Sequence, residues 1–595
     1  MKRYIKYMAA ALLSMNLSAC SDFLDKEVDL TIQAEDVFQK MENTRGFLAN
    51  IYTYLPDAFV GYTDGQFRGA SRDCMTDNAI SFWNVHFYHS VLSDSYDATN
   101  HQFANSFWPN NFKAIRACNT FLTYAKESVI KNTEMPGDDN RLYDRYMAEA
   151  RVLRAIFHME LACWFGNIPI VGEDAEGKPI IFDYTNSEAM NMARTNCADA
   201  LKWIADECDK VKDVLPFRYS QEEINWGRIN GAAAYALKSR ALLYRASPLN
   251  NPENNQQYWI EAAQAAKDFI EVNKKQQNPY RLYTTEDNNP KKNYYECFVS
   301  TPHLNNEYIL SRSEWTTREI ELLLAPCGFK GSVNSTGRTN PTQNLVDSYE
   351  MANGLPIDNP KSGYNPQKPY ENRDPRLEQT ILHHGSIWGN ALEEEEREVD
   401  VTYGTGRDYQ ELHGGTLTGY YTKKFLNNMS FKSPTNYLHA CPIYRYGEIL
   451  LNAAEAINEA EGPENAYEYV NQVRKRVDMP AYANMTQEQL RERIRNERRI
   501  ELCFEDHRFF DERRWKLFEG KNADSEKDEP LYKQVYNLYG MQVTPSGSST
   551  FNVVPAQKHP TRAFNSPKNY VFPIPDAETK RLPNLGQNPG WELMQ

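Results

Sequence analysis

Apolar residues recur at helical spacing along much of the first half and again near residue 450, and these stretches determine the fold prediction. Recurrence every three or four residues is typical of helices that bury one face. The pattern ends where the sequence supplies a stop signal, as at Gly166-Asn167 with Pro169 just beyond. The predicted helices cover residues 34–54, 107–129, 141–165, 187–214, 226–246, 258–273, 444–460 and 465–477.

These helices combine small and large residues in a way that favours close stacking. Residues 230–245 place several alanines among Tyr235, Leu242 and Tyr244, and residues 444–477 form two helices around a turn at Gly462-Pro463. Small and large residues at fixed offsets are typical of tetratricopeptide-type hairpins. The pattern therefore predicts a mainly α fold with a scaffold of tetratricopeptide-like helical hairpins.

A highly charged block, Arg491–Arg514, follows this second helical region. Fifteen of its 24 residues are charged, eight basic and seven acidic. Glu497, Glu501 and Glu505 lie four residues apart, so pairing with arginines three or four positions away is available on one helix. Interleaved Ile and Phe residues indicate burial, and buried charges persist only when paired. We interpret the block as a half-buried, ion-paired helix with a slip near His507 that locks the last helices onto the scaffold.

The remaining stretches lose periodicity and are rich in Gly, Pro, Asn and aromatic residues. We expect residues 34–595 to form one unit. Its predicted parts are an N-terminal helical scaffold (34–275) with a loop insert (57–104), a loop-rich region (276–440), returning scaffold helices (441–520) and an irregular C-terminal strap (521–595). Long irregular inserts in a compact protein are commonly functional, and the clustered prolines of the strap favour extended chain.

Residues 1–19 have the features of an export signal. Lys2, Arg3 and Lys6 precede a short apolar stretch, and Leu17-Ser18-Ala19 leads directly to Cys20. This arrangement resembles a bacterial lipoprotein signal, which implies cleavage before Cys20, acylation of Cys20 and a short tether over residues 20–33. The alternative is an ordinary signal peptide cut after Ala19. No later stretch is apolar for long enough to span a membrane.

Charge and aromatic content narrow the classes of ligand. A net charge of -14 and a pI near 5.5 argue against nucleic acid and against docking on anionic lipid. Aromatic residues make up 12% of the chain, which suits a large core, a carbohydrate-stacking surface or both.

The cysteines do not follow a zinc or disulfide pattern. Nine remain after Cys20, an odd number with no C-x-x-C pair, and most lie in apolar surroundings. We expect buried free thiols, a use of cysteine that fits a reducing or anaerobic habitat.

Several motifs together resemble the SusD/RagB family of outer-membrane lipoproteins from Bacteroidota. They occur in the family's order over nearly the whole mature chain, and the set is far more specific than any one member. The closing Phe572-Pro-Ile-Pro and Gln587-Asn-Pro-Gly-Trp fit the same pattern. The five main motifs are Cys20-Ser-Asp-Phe-Leu-Asp; Glu149-Ala-Arg-Val-Leu-Arg-Ala with Phe165-Gly-Asn-Ile-Pro-Ile; Arg373-Asp-Pro-Arg-Leu; Arg445-Tyr-Gly-Glu-Ile-Leu-Leu-Asn-Ala-Ala-Glu-Ala; and Asn496-Glu-Arg-Arg-Ile-Glu-Leu-Cys-Phe-Glu-Asp-His-Arg-Phe-Phe-Asp.

The resemblance implies a SusD-like fold, in which the helical scaffold carries a large loop-rich ligand-binding face. It also implies a surface-exposed protein on the outer membrane, held in outer-membrane lipid by acylated Cys20. Such a protein captures an oligosaccharide and closes as a lid over a SusC-type TonB-dependent barrel, without catalysis. The shared motifs belong to the scaffold, so they carry over the fold and the partner but not the identity of the ligand.

Candidate ligand-binding residues come from the aperiodic segments, because sugars need flat aromatic rings and paired polar groups. Tryptophans in periodic helices (Trp164, Trp203, Trp226, Trp259 and Trp515) are assigned to the core. Arg72-Asp73 has an alternative role as a local ion pair, and Arg373 lies in a scaffold motif. The candidates are Asn43, Asp64, Arg72, Asp73, Trp83, Tyr295, Cys297, Trp315, Arg373, Trp388 and Tyr403.

Two alternatives to glycan capture stay open. The same architecture captures peptides in some relatives, for which a deep charged cavity would be the mark, and a surface glycosidase needs only two carboxylates about 5–9.5 Å apart. The sequence has no G-x-S-x-G or H-E-x-x-H motif and no Gly-rich phosphate loop. His383-His384 and the acidic run Glu393–Glu396 lack a second set of spaced ligands. We therefore predict neither a cofactor nor a metal site.

Overall fold

The computed structural model describes residues 34–59, 69–99, 101–131, 141–181, 191–312, 315–411, 413–519, 529–545, 549–556 and 562–592. The helices before the loop-rich region are α1 (Ala34–Val37), α2 (Met41–Tyr52), α3 (His86–Leu92), α4 (Gln102–Tyr124), α5 (Leu142–Phe165), α6 (Cys197–Asp209), α7 (Glu222–Asn225), α8 (Gly231–Ala246) and α9 (Gln256–Lys274). The later ones are α10 (Asn293–Val299), α11 (Glu319–Leu324), α12 (Gln343–Ser348), α13 (Arg376–Thr380), α14 (Tyr446–Glu461), α15 (Pro463–Arg476), α16 (Gln487–Glu501), α17 (Arg508–Arg514) and α18 (Asp576–Arg581).

Local signals fix the ends of the long helices. The Asn230 side chain accepts a hydrogen bond from the backbone N–H of Ala233 at the start of α8, and a Thr486–Gln489 capping box begins α16. Gly166 and Gly462 follow α5 and α14 with φ of 70° and 92°, backbone angles that glycine adopts without steric cost. The two glycine stops lie within a residue of the ends predicted at 165 and 460, whereas α8 begins five residues after the predicted start at 226.

The long helices stack as a continuous array. α4 packs on α5, α5 on α6, α6 on α8, and α8 on α9. α9 then packs directly on α14, although the whole loop-rich region lies between them in the chain, and α14 carries α15 and α16. The loop-rich region is thus a long insertion between two parts of one scaffold of helical hairpins, and these two parts pack directly on each other.

Short antiparallel pairs organise the loops. Their strands are β1 (Ala79–Ile80), β2 (Tyr308–Ser311), β3 (Trp315–Thr317), β4 (Asn340–Pro341), β5 (Ile381–Leu382), β6 (Ile387–Trp388), β7 (Arg397–Glu398), β8 (Gln410–Glu411), β9 (Gly414–Gly415), β10 (Tyr421–Thr422), β11 (Tyr437–His439), β12 (Pro442–Arg445), β13 (Tyr539–Thr544) and β14 (Thr550–Pro555). The pairs are β1–β4, β2–β12, β3–β11, β5–β10, β6–β7, β8–β9 and β13–β14. β1–β4 and β5–β10 connect segments that are far apart in sequence, so the loops support one another.

The charged block Arg491–Arg514 is not one helix. α16 ends at Glu501, and Phe504 and Asp506 adopt left-handed backbone angles before α17 begins. Its glutamates also pair outside the block. Buried Glu501 accepts hydrogen bonds from Arg476, Arg445 and Arg376 at 2.5, 2.8 and 3.1 Å. The predicted burial and pairing are present, but the key partners come from distant segments, which makes the block a junction between them.

The same block holds part of the predicted loop insert. Arg508 binds both carboxylate oxygens of Asp77 at 2.7 and 2.8 Å, and Arg499 Nε donates to the Asn78 side chain at 2.9 Å. Residues 70–81 are buried throughout. This portion of the 57–104 insert therefore belongs to the core, and it leads directly into the turn that carries Trp83.

The C-terminal strap is more ordered than its prolines indicated. It contains the β13–β14 hairpin and, directly after Pro575, the short helix α18. The Phe572 ring stacks on Trp164 of α5 at 5.2 Å between centroids, and Trp591 lies 4.9 Å from Tyr96. The strap thus completes the core around the first helices.

The nine cysteines of the described residues are all free thiols, and eight of them are buried. The prediction of buried free thiols is confirmed for these eight, and Cys163 is partly exposed. Cys20 and the tether lie outside the described residues.

Candidate functional site

Trp83 occupies a turn that is tied to a neighbouring loop strand. The Ser81 hydroxyl donates to the Arg338 carbonyl at 2.8 Å and accepts from the Trp83 backbone N–H at 3.2 Å. The Arg338 guanidinium lies 5.0 Å from the centroid of the half-buried Trp83 ring. Among the described residues, the Trp83 indole N–H has no hydrogen-bond acceptor. The turn thus places a half-buried aromatic ring beside a cationic group, with the indole N–H buried.

Tyr403 is connected to this turn through Gly415 and Tyr409. A side chain at Gly415 would come within 2.9 Å of both the Phe82 ring and the Tyr409 carbonyl, so the glycine allows these residues to approach. The Tyr409 ring is 5.3 Å from that of Tyr403, which is 45% exposed. We call the surface formed by Phe82, Trp83, Arg338, Tyr403 and Tyr409 the loop face. It supplies stacking rings and polar groups, the combination that sugar binding requires.

Tyr295 and Trp388 meet elsewhere, on either side of Lys423. The Lys423 ammonium lies 5.3 and 6.0 Å from their ring centroids and donates to the Glu378 carbonyl at 2.7 Å. Burial holds the pKa of Lys423 below its usual range. The Tyr295 hydroxyl donates to the Leu426 carbonyl at 2.5 Å, and Trp388 is only 5% exposed. In this structure the two rings pack the base of the loops, and Trp388 is not at the exposed position that its aperiodic segment indicated.

Arg72 and Asp73 are buried beneath the loops. Arg72 pairs with Asp506, and the Asn78 amide donates to Asp73 at 3.1 Å. Burial, with the Asp506 carboxylate nearby, raises the pKa of Asp73 to about 7. The local Arg72–Asp73 ion pair considered from the sequence is not formed. Arg72 pairs with the distant Asp506 instead, and the side chains of Arg72 and Asp73 are both part of the core.

The remaining candidates do not join the loop face. Cys297 is buried with its thiol 3.6 Å from Glu307, and Arg373 donates to the backbone carbonyls of Pro369, Val346 and Tyr349. Trp315 is half-buried in β3, paired with β11, and Asn43 is exposed on α2. Asp64 lies outside the described residues.

Three residues of the loop face escaped the sequence analysis. Phe82 could have been found, because two adjacent aromatic residues stand in an aperiodic segment. Arg338 and Tyr409 gave no comparable signal, since they reach the face only through the pairing of distant strands.

The histidines and the acidic run do not form a metal centre in the described part of the chain. His383 Nε2 lies 2.6 Å from Glu378, and its ring stacks on Tyr370. Glu393, Glu394 and Glu396 are exposed, as a solvated loop would be. No group of three or more His, Cys, Asp or Glu among the described residues is arranged to hold a metal ion. Within the same residues, no helix is both long and apolar enough to cross a bilayer.

Stacked helical hairpins whose loops carry the candidate site place the protein in the class of tetratricopeptide-like helical scaffolds. Comparison with known proteins identifies the family. The SusD family model matches residues 259–591, and a second model, described as starch-binding and associating with the outer membrane, matches residues 22–243. The chain belongs to the SusD family. This membership confirms the predicted mainly α, tetratricopeptide-like fold class.

Individual relatives agree. A SusD-like protein from Bacteroides fragilis superimposes with a TM-score of 0.71 at 23% identity, over 93% of this chain and 98% of that one. A SusD-like carbohydrate-binding protein from the same species gives 0.65 at 25% identity, over 92% and 100%. SusD-like protein P2 of Formosa agariphila is 31% identical over 174 residues, which cover 28% of each chain. The curated relative thus matches over little more than a quarter of its length.

Proposed function

We propose that this protein captures an oligosaccharide on its loop face and passes it, without catalysis, to a SusC-type TonB-dependent barrel over which it closes as a lid. The observation that carries the proposal is the half-buried Trp83 ring, which lies beside the Arg338 guanidinium in a loop turn. Family membership supports it, as does the carbohydrate binding stated for a solved relative that superimposes over nearly its whole length.

Trp83→Ala tests the site. Loss of the stacking ring is expected to weaken binding of a cognate oligosaccharide about tenfold, or about 1.4 kcal/mol. Isothermal titration of a panel of plant and microbial oligosaccharides against folded protein provides the measurement. Ile260→Ala, which shortens a 49% exposed side chain on the scaffold helix α9, is the matched control. Equal affinity in wild type and Trp83→Ala would remove Trp83 from the site, and tight binding of peptides instead of glycans would support the peptide-capturing alternative.

A product assay separates capture from hydrolysis. Incubating the bound oligosaccharide with purified protein is expected to leave the number of reducing ends unchanged. New reducing ends in proportion to protein concentration would establish a glycosidase.

Membrane attachment through Cys20 is a separate element of the proposal. Several acyl chains on one cysteine give stable anchoring, since each buried CH₂ contributes about 0.8 kcal/mol. Cys20→Ala is expected to move the protein from the outer-membrane fraction to the soluble fraction and to reduce co-purification of a barrel partner. Retention of the variant in the membrane at wild-type levels would contradict lipid anchoring.

A further inference from the structure

A cavity of about 730 Å³ opens on the scaffold, and Arg508, which binds Asp77, is one of its lining residues. Its walls come from α16, from the end of α12, from the loop at residues 483–485 and from the turn at Leu531–Lys533. It shares no lining residue with the loop face.

Basic side chains dominate the lining. Six are basic and three are acidic: Arg493, Arg495, Arg499, Arg508, Lys516 and Lys533 against Asp347, Glu492 and Glu519. Asp347 adds little negative charge, because burial raises its pKa to about 6.

Carboxylates in and behind the wall neutralise part of this charge. Arg493 pairs with Glu350 at 3.0 Å, Arg499 and Arg508 share Asp77 at 3.2 and 2.7 Å, and Lys516 pairs with Glu519 at 3.0 Å. Positive charge is thus left in excess, and two basic residues of the lining, Arg495 and Lys533, have no carboxylate within hydrogen-bond distance among the described residues.

Arg495 and Lys533 lack comparable partners. Arg495 is 3.6 Å from Glu492, beyond hydrogen-bond distance; its guanidinium lies 5.1 Å from the Trp515 ring centroid, and its side chain is 20% exposed. Burial lowers the pKa of Arg495, and the nearby Glu455 and Glu492 offset this effect only in part. Lys533 is exposed at the rim and makes no ion pair with the described residues. A partly exposed guanidinium without a hydrogen-bonded carboxylate is suited to an oxyanion, for which its planar fork is the usual partner.

We propose that this cavity is a second binding site, which takes a small ligand bearing a carboxylate or sulfate group, with Arg495 and Lys533 supplying the positive charge. Such a ligand would give the partly exposed Arg495 guanidinium and Lys533 the hydrogen-bonded anionic partner that neither has among the described residues. The site would act independently of the loop face, so its occupancy does not require the proposed glycan site.

Calorimetric titrations of the mature chain with sodium sulfate and with sodium glucuronate test the proposal, with glucose as the neutral probe. All titrations are made at one ionic strength set with sodium chloride, because general screening would otherwise contribute. We expect sulfate, glucuronate or both to bind, and we expect no binding of glucose. Arg495→Gln and Lys533→Gln are each expected to weaken anion binding about tenfold or more, the usual effect of losing a charge-assisted hydrogen bond. Lys291→Gln, an exposed lysine on a distant loop, is the matched control and should bind as wild type does.

Absence of binding by both anions, or equal affinity in wild type and both cavity variants, would overturn the proposal. Lys533 is exposed, so Lys533→Gln carries the test if Arg495→Gln fails to fold. Loss of anion binding with unchanged oligosaccharide binding would separate this site from the loop face.

Discussion

Glu501 accepts hydrogen bonds from arginines of three different segments, and its replacement tests how much the buried ionic network contributes. These arginines hold its pKa well below the usual range, although burial alone would raise it. Glu501→Ala leaves Arg376, Arg445 and Arg476 buried with one carboxylate fewer. We expect the free energy of unfolding to fall by about 3–5 kcal/mol, measured by denaturant titration at pH 7.

The loss of stability in Glu501→Ala is expected to depend on pH, and a variant of the same helix provides a control. A lowered pKa means that the carboxylate stabilises the fold above its unfolded pKa and that this contribution is lost as the pH falls through the folded value. The difference in free energy of unfolding between wild type and Glu501→Ala should therefore become smaller in strong acid. Glu488→Gln, on the exposed first turn of α16, should cost no more than about 1 kcal/mol. Lost ligand affinity in folded Glu501→Ala would contradict a purely structural role.

The contribution of Asp73 to stability depends on pH in the opposite direction to that of Glu501. Its folded pKa of about 7 lies above the ordinary value for an aspartate, about 3.9, so the folded state retains a proton that the unfolded chain releases. The resulting stability is complete below pH 4, declines as the pH rises towards 7 and is lost above it. Asp73→Asn keeps the shape of the protonated form. Relative to wild type, it should gain about 2–4 kcal/mol of unfolding free energy between pH 4 and pH 8. A constant difference across that range would show that Asp73 is ionised throughout.

At the scale of elements, α17 and the buried segment 70–81 are joined by the Arg508–Asp77 pair. A double-mutant cycle of Arg508→Ala and Asp77→Ala is expected to give a coupling energy of about 1–3 kcal/mol, because both charges are buried and hydrogen-bonded in a bidentate manner. Thermal unfolding of the four proteins measures it. Because Arg499 remains as a second partner of Asp77, a coupling near zero would mean that Arg499 replaces Arg508 completely.

The sequence predicted that the long helices exist but placed some of their ends badly, as for α6, which was expected over 187–214 and covers Cys197–Asp209. It did not predict their contacts. Helix α5 was expected over residues 141–165 and covers Leu142–Phe165, since its apolar spacing and its Gly166 stop are local properties. The break at Phe504–Asp506 and the distant partners of Glu501 depend on tertiary contacts, which periodicity within one helix does not report. The β13–β14 hairpin was missed although alternating residues flank a Gly- and Ser-rich turn, a readable signal that the nearby prolines obscured.

The candidate site was predictable only in part. Trp83 and Tyr403 were named because aromatic residues in polar, aperiodic segments are often exposed. The same reasoning placed Trp388 at the surface, whereas it is buried beside Lys423. In segments without periodicity, nothing in the sequence distinguishes a ring that supports a loop from a ring that a ligand reaches.

At the scale of the whole molecule, the buried thiols give a test of how tightly the fold excludes solvent. Of the nine cysteines described, only Cys163 is partly exposed, and burial raises the pKa of its thiol. We expect a thiol reagent such as Ellman's to label at most one cysteine per native molecule and all nine in denaturant. Rapid labelling of several cysteines in native protein would show opening on the timescale of the reaction.

The strap contributes to the stability of the first helices. Phe572→Ala removes a buried ring that stacks on Trp164 and is expected to cost about 3–5 kcal/mol. Scanning calorimetry should show the whole transition moving to lower temperature. A separate, low-melting transition would mean that the strap unfolds without the scaffold.

The contact between Phe572 and Trp164 also bears on the order in which the fold is completed. Trp164 leaves the ribosome long before residue 572 does. Until residue 572 is made, the aromatic surface around Trp164 lacks the Phe572 ring. A prematurely ended product therefore exposes apolar surface, which makes it a target for quality-control proteases.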